Sequence, residues 1–523
     1  MGGAAAASGP DFAKGIGLDS IPASGILAGR VGDEPVLLSR LDGELFAVGG
    51  ACTHYGAALA SGVVEGETIR CPLHHACFSL RTGAALRAPA FDDLDRWQVD
   101  VEGASAFVRR KQSASAPRPV ATVSADVRSV LLVGGGGGAF ACASELRRLG
   151  YQGDLTMLSA DPDPPCDRPN LSKDYLAGTA PEDWIPLRGP DHYRDAAIDL
   201  RLGTEIVAID PVARFATSRA GEAFSYDRLL IATGAEPVRL GAPGLDRTNV
   251  HTLRSLADAR AIAGLAEPGA KAAIIGSGFV GLEAAAALRA RGVDVTIVSA
   301  DSVPFERQFG RELGLVLQAL HRKNGVRFRM GGRVAGYNGT ALELDDGTSL
   351  EADFVIIGVG VRPRTALAPP GVAVEDGISV DRYLATAIPD IYAAGDVAAY
   401  PDPLSGRPTR IEHWVTALRQ GQVAARNMLG MAVPFTAIPF FWTEQYGVAL
   451  RYVGNGRHWD EVRIEGDPER FDFIARYYEE GRHCASLAAG RDQALLEDEL
   501  GLERLAGASE LPAGTFAPRC HPS

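Results

Sequence analysis

The chain has 523 residues, too many for one hydrophobic core at roughly 100 to 200 residues per domain, so three or four domains are expected. Hydrophobic residues at 46% and charged residues at 22% match folded proteins and exclude a disordered chain. A formal charge of -13 repels phosphate backbones and argues against nucleic acid as a partner, while seven scattered cysteines, an odd number, argue against a disulfide framework. The first fifteen residues lack the basic and apolar regions of a signal peptide, and the most apolar run, 272–288, is broken by Glu283 and three glycines, so no membrane span is expected and a cytoplasmic location is.

Taken in chain order, residues 10–111 carry short apolar runs (VLLSRL, ELFAVGG, QVDVEG) separated by Gly, Asp and Pro, the pattern of a small all-β unit. Inside it, Cys52-Thr-His54 is followed after sixteen residues by Cys71-Pro-Leu-His74. One Cys and one His from each of two loops suits a Rieske 2Fe-2S centre, in which thiolates hold one iron and imidazoles the other. The alternative, a structural Cys2His2 zinc site, usually draws its Cys pair and His pair from separate local units, which these mixed pairs fit badly. His75 and Cys77, beside the ligands, are expected to pack or bond locally. The stretch 112–125, QSASAPRPVATVSA, reads as a linker.

Beyond it the period changes. Residues 127–161 read as strand, glycine turn, helix and strand, and 272–301 repeat the pattern, each copy ending in Ser-Ala-Asp. The duplication predicts two Rossmann-type α/β domains. In the first copy Gly134-x-Gly136-x-x-Ala139 supplies the phosphate-binding turn and Asp161 the ribose acid. In the second copy Gly276-x-Gly278-x-x-Gly281 does the same, with Asp301 twenty residues on, where an acid repels a 2′-phosphate and favours NADH over NADPH. Arg307 and Arg311 follow closely and oppose that preference. Glu283 stands where the first copy has Ala141, so dinucleotide binding alone does not require it. From Val433 the aromatic run PFFWTEQY, alternating strands and a charged helical segment near 497–505 suggest a separate α+β domain at 433–523.

The segments DRLLIATGAEP (227–237) and TAIPDIYAAGDVAAYPD (386–402) resemble the signatures of FAD-dependent pyridine nucleotide oxidoreductases. The resemblance implies an FAD domain in two parts, 126–247 and 367–432, around an NAD domain at 248–366. It implies that Thr233, Gly234, Gly360 and Gly395 touch the dinucleotides, that Asp396 bonds the ribityl chain, and that Arg168 lies at the FAD phosphates. It also implies that Lys173, in PPCDRPNLSKDYLAG, approaches the flavin N5 and pairs with Glu283, making these two the catalytic candidates. RIEHWVTALRQGQ and PFFWTEQY are similar to the flavin-facing helix and aromatic segment of ferredoxin reductases, with Trp414 and Trp442 beside the flavin.

The whole order, Rieske, FAD, NAD, FAD and C-terminal domain, resembles the Rieske-bearing subgroup of apoptosis-inducing-factor-like FAD oxidoreductases, relatives of dioxygenase-type ferredoxin reductases. The expected cofactors are FAD, NAD(H) and a Rieske 2Fe-2S cluster. The expected activity passes electrons from NADH through FAD to the in-chain cluster and on to a one-electron acceptor, in a monomer or homodimer. The alternatives are an NAD(P)H reductase of a small organic acceptor, such as a quinone or a monodehydroascorbate-like radical, and a redox-sensing or signalling flavoprotein.

Overall fold

The structure, a computed structural model, describes residues 7–23, 25–112 and 127–507; apart from Gln112, the stretch read as a linker lies outside them. The N-terminal unit is all-β, with an antiparallel six-stranded sheet ordered Ile16–Gly17, Ser105–Gln112, Arg96–Glu102, Glu44–Gly49, Glu34–Leu41, Ile26–Val31, and a four-stranded sheet from Val63–Glu65 to Ala85–Arg87. The middle of the strand Glu34–Leu41 is covered on both faces, which explains its consecutive apolar residues Val36, Leu37 and Leu38. Val36 and Leu38 pack with Phe12 and Trp97 on one side. Leu37 and Leu41 pack with Cys52, Cys71 and Phe78 on the other.

Two five-stranded parallel sheets follow, and they share one plan. The strand before each glycine turn (Ser129–Val133, Lys271–Ile275) lies between the strand ending in the ribose acid's segment (Asp154–Leu158, Asp294–Ser299) and a later strand (Arg228–Ile231, Phe354–Ile357). In both, the first glycine of the fingerprint is pressed against a carbonyl at the end of that later strand. A Cβ on Gly134 would lie 2.1 Å from the Ala232 oxygen, and one on Gly276 2.3 Å from the Gly358 oxygen. The helices Gly137–Arg148 and Trp414–Met428 cross at glycines, since a Cβ on Gly421 would lie 2.1 Å from the Gly138 oxygen, and this close approach lays Trp414 over Gly137.

The last domain is an antiparallel sheet of five strands, beginning with Phe440–Gln445, closed on one side by the helix Asp492–Leu505. Glu499 and Glu503, four residues apart on one face of that helix, reach into the Rieske domain. Glu503 pairs with Arg70 at 2.6 Å and with Arg87 at 2.5 Å. Glu499 meets His75 Nδ1 at 2.7 Å and Arg419, from the FAD-domain helix, at 3.1 Å. Burial opposes ionisation of Glu499, but His75, Arg419 and Arg87 outweigh it and hold the carboxyl well below its ordinary range. The expectation that His75 bonds locally is therefore corrected. Its loop is closed by its own backbone, His75 N–H to Cys71 and Cys71 N–H to Ala76, so the ring faces outward, stacks on Phe440 at 4.0 Å and finds its partner 424 residues away.

Because Glu499 is fully buried, removing it strands the guanidinium of Arg419 in the junction of three domains. Glu499→Ala should destabilise the protein by about 3–5 kcal/mol in urea unfolding. Glu351→Ala, at the exposed pair with Lys271, should leave the midpoint where it is.

Candidate redox site

The two ligand-bearing loops are built alike. Cys52 N–H bonds the Ala57 carbonyl and Cys71 N–H the Ala76 carbonyl, both at 2.8 Å. The fourth residue after each cysteine, Gly56 at φ 73° and His75 at φ 59°, takes the left-handed conformation that turns the loop back. The sulfurs of Cys52 and Cys71 adjoin each other, and both cysteines are free thiols. His54 and His74 turn their Nδ1 atoms to one another, 3.1 Å apart, with rings at 84°. Burial lowers His54 to about 4 and His74 well below its ordinary value, so both are neutral, the form that ligates. Among the described residues no three His, Cys, Asp or Glu side chains converge on one point as a mononuclear ion requires. A thiol pair and a separate imidazole pair fit a two-iron cluster instead.

A cavity of about 1130 Å³ opens where the FAD, NAD and C-terminal domains meet. It exceeds the usual range for drug-sized ligands and suits a dinucleotide. Gly134, Gly136, Asp161, Arg168, Lys173, Thr233, Gly234, Glu283, Gly395, Asp396, Trp414 and Trp442 all line it. Ala139 stands behind the glycine turn, buried in the helix. The residues fit FAD on the behaviour of Arg168. Its guanidinium lies within 4 Å of the position a Cβ would take on Gly136, and among the described residues it has no ion-pair partner. Burial, with Arg254 close by, lowers it to about 10, so an anion such as pyrophosphate at that glycine would satisfy it.

The glycines of the second fingerprint are not among the residues that line this cavity. Nothing stands within 4 Å of a Cβ built on Gly278, which leaves the backbone open to a pyrophosphate, whereas one on Gly281 would strike the Gly276 oxygen at 2.2 Å. Asp301 is half exposed, with Arg307 at 3.4 Å, while Arg311 turns away to Glu306 at 3.3 Å. Gly360 bonds the Val238 N–H and does not line the cavity. The helix that begins after Gly278 carries Phe279, Val280 and Glu283 into the cavity, joining the two sites.

Lys173 Nζ lies 2.8 Å from Glu283 Oε2, and the carboxylate also accepts from Ser172 and, at 2.7 Å, from Thr443. Lys173 sits 6.0 Å from the centre of the Trp442 ring. That ring lies 4.2 Å from the His74 ring, so one aromatic side chain lines the cavity and touches a candidate cluster ligand. Ser172, Thr443, Arg254 on Asp396 at 2.5 Å, and Tyr55, whose hydroxyl donates to Asp167 across the domain boundary, escaped the sequence reading. None belongs to a spaced motif, although Ser172, Tyr55 and Thr443 each adjoin a residue singled out, Lys173, His54 and Trp442.

Fold and site together define a flavin- and nicotinamide-dependent oxidoreductase with a built-in Rieske domain. The chain belongs to the pyridine nucleotide-disulphide oxidoreductase family, whose model matches residues 128–421. A Rieske [2Fe-2S] domain matches 18–98 and a reductase C-terminal domain 440–499. Human apoptosis-inducing factor 3 is 33% identical over 474 residues, covering 87% of this chain and 77% of its own length. The ferredoxin--NAD(+) reductase component of the anthranilate 1,2-dioxygenase system of Burkholderia cepacia is 35% identical, covering 69% of this chain and 91% of its own length. The covalent putidaredoxin reductase–putidaredoxin complex matches with a TM-score of 0.70 at 31% identity, over 74% of this chain and 97% of that one. The protein is thus an FAD-dependent NAD(P)H oxidoreductase of ferredoxin-reductase type, with a Rieske 2Fe-2S domain. No helix among the described residues is long and apolar enough to cross a membrane.

Cys71→Ser should abolish the cluster, read as loss of its electron paramagnetic resonance signal on reduction, because a hydroxyl is a much poorer iron ligand. Bound FAD, read by visible absorption, should persist, since no residue of the Rieske domain lines the cavity.

Proposed function

We propose that this chain accepts hydride from NADH at the cavity and passes the electrons, one at a time, through the Trp442 edge to the Rieske cluster of the same chain and then to a one-electron acceptor protein. The observation that carries the reading is the position of Trp442, in the lining of the cavity and 4.2 Å from His74. FAD, when bound, supplies the conversion between a two-electron hydride and single electrons. The protein's own groups do the rest. Arg168 and the glycine turn at Gly134 and Gly136 hold the FAD pyrophosphate, and Gly276 to Gly281, at a helix N-terminus, hold that of the nicotinamide dinucleotide. Lys173, paired with Glu283, adds an ammonium to the cavity lining, where it favours negative charge on a reduced cofactor. Trp442 stacks on Phe440 with ring centroids 6.1 Å apart, and Tyr55 packs against His54 at 4.2 Å, so aromatic rings flank both imidazoles.

The acceptor class is supported by relatives named for dioxygenase systems and by the complex of putidaredoxin reductase with putidaredoxin. Asp301, half exposed although paired with Arg307 at 3.4 Å, supports NADH over NADPH.

In stopped-flow, Trp442→Leu should slow cluster reduction by about tenfold, equivalent to ~1.4 kcal/mol of barrier, while flavin reduction by NADH keeps its rate. A wild-type protein whose flavin is reduced by NADH while its cluster stays oxidised would sink the relay. Asp301→Ala should narrow the preference for NADH in steady-state kcat/KM, and a wild type that uses NADPH better would refute the role given to Asp301.

A further inference from the structure

The carboxylate of Glu283 ends a chain of hydrogen bonds that begins at Tyr446 in the C-terminal domain. Its Oε2 is taken by Lys173 and Ser172, and its Oε1 accepts from Thr443 Oγ1 at 2.7 Å. A threonine hydroxyl has one proton, so with that proton on Glu283 its oxygen must accept, and it does so from Gln445 Nε2 at 3.0 Å. The amide is thereby oriented with Oε1 towards His321 Nε2, at 2.6 Å, and the imidazole must carry its proton on Nε2. Nδ1 is then the acceptor, and it faces the Tyr446 hydroxyl at 3.3 Å. Every hydrogen in the chain points towards Glu283.

The alternative tautomer shows why His321 matters. With the proton on Nδ1, two acceptors would face each other at 2.6 Å, and the amide of Gln445 would have to turn over. Its oxygen would then meet the Thr443 hydroxyl, which would donate to Gln445 and leave Glu283. Thr443 and His321 are fully buried and Gln445 is 3% exposed, so water does not replace a lost partner. Burial lowers His321 to about 4, which keeps it neutral with a single N–H to place.

We propose that His321, Gln445 and Thr443 are positioning residues that hold the Glu283 carboxylate on Lys173 and through it set the reduction potential at the flavin cavity. None of the three touches the cavity; they act in series through Glu283. The inference rests on the reading of Lys173 and Glu283 as the charged pair beside the flavin. Aligned donors of this kind polarise one another, and the chain ties the C-terminal strand Phe440–Gln445 to the NAD-domain helices Phe279–Ala290 and Arg311–Lys323.

The test is the flavin midpoint potential of the full-length, FAD-loaded protein, by equilibration with a redox dye, for wild type, Thr443→Val, Thr443→Ser and Gln445→Met, with Glu283→Gln as reference. Thr443→Val removes the donor in the same shape, so the ammonium of Lys173 is less well neutralised and the potential should rise. A tenfold change in the reduction equilibrium, about 30 mV for a two-electron couple, is the expected size. Gln445→Met should move it the same way by less, and Thr443→Ser should restore the wild-type value, which a loss of packing alone would not do. If Thr443→Val does not retain FAD, Gln445→Met decides. Wild-type potentials in Thr443→Val and Gln445→Met, alongside a shifted Glu283→Gln, overturn the chain; a wild-type potential in Glu283→Gln overturns the charged-pair reading beneath it.

Discussion

Alternation along a single β-strand governs the arrangement of the redox groups. Successive side chains of Phe440–Gln445 point to opposite faces, and each face belongs to a different domain. Phe440 and Trp442 turn to the Rieske domain, against His75 and His74. Phe441 and Thr443 turn the other way, to Phe279 and Glu283 of the NAD domain. A slip of one residue in the pairing of this strand with Val448–Gly454 would exchange the faces, and Thr443 would meet the cluster ligands while Trp442 met Glu283. The register of one hairpin therefore carries both the contact proposed for electrons and the hydrogen bond that steadies the charged pair.

The duplicated nucleotide domains show the same physics solved twice with one difference. In each, a glycine without a side chain lets the turn touch the carbonyl that follows a neighbouring strand. At the first copy, Trp414 and the C-terminal strand's Phe441 and Trp442 join the glycine turn in lining one cavity. The glycines of the second fingerprint are not among the residues that line that cavity, and Gly278 faces open space.

Much of this was legible in the sequence because the chemistry is local. Two Cys and two His must lie a residue or two apart to hold a cluster from two loops, and a glycine turn must follow a strand to receive a phosphate. Such spacings survive without knowledge of the fold. The domain junction was illegible for the converse reason. Glu499 and Glu503 look like solvent-facing charges on a polar helix, and Arg419 like an interruption in HWVTALRQGQ; their partners lie hundreds of residues away. His75 was read as a bystander for the same reason. Lys173 with Glu283 falls between these cases: comparison of the two copies singled out the acid, while the hydroxyls that orient it sit at positions with no pattern.

The buried charges that lock the Rieske domain to the helix Asp492–Leu505 bear on reaction order. When reductase and ferredoxin are separate molecules, the step between them depends on encounter, and so on concentration, charge steering and salt. Here His74 is already seated on Trp442, and three arginines and two glutamates shut inside the junction keep it there. Under the proposed relay the internal step is first order: a property of the molecule, indifferent to dilution and ionic strength. Beyond the flavin, the departure of electrons to the outside remains a collision.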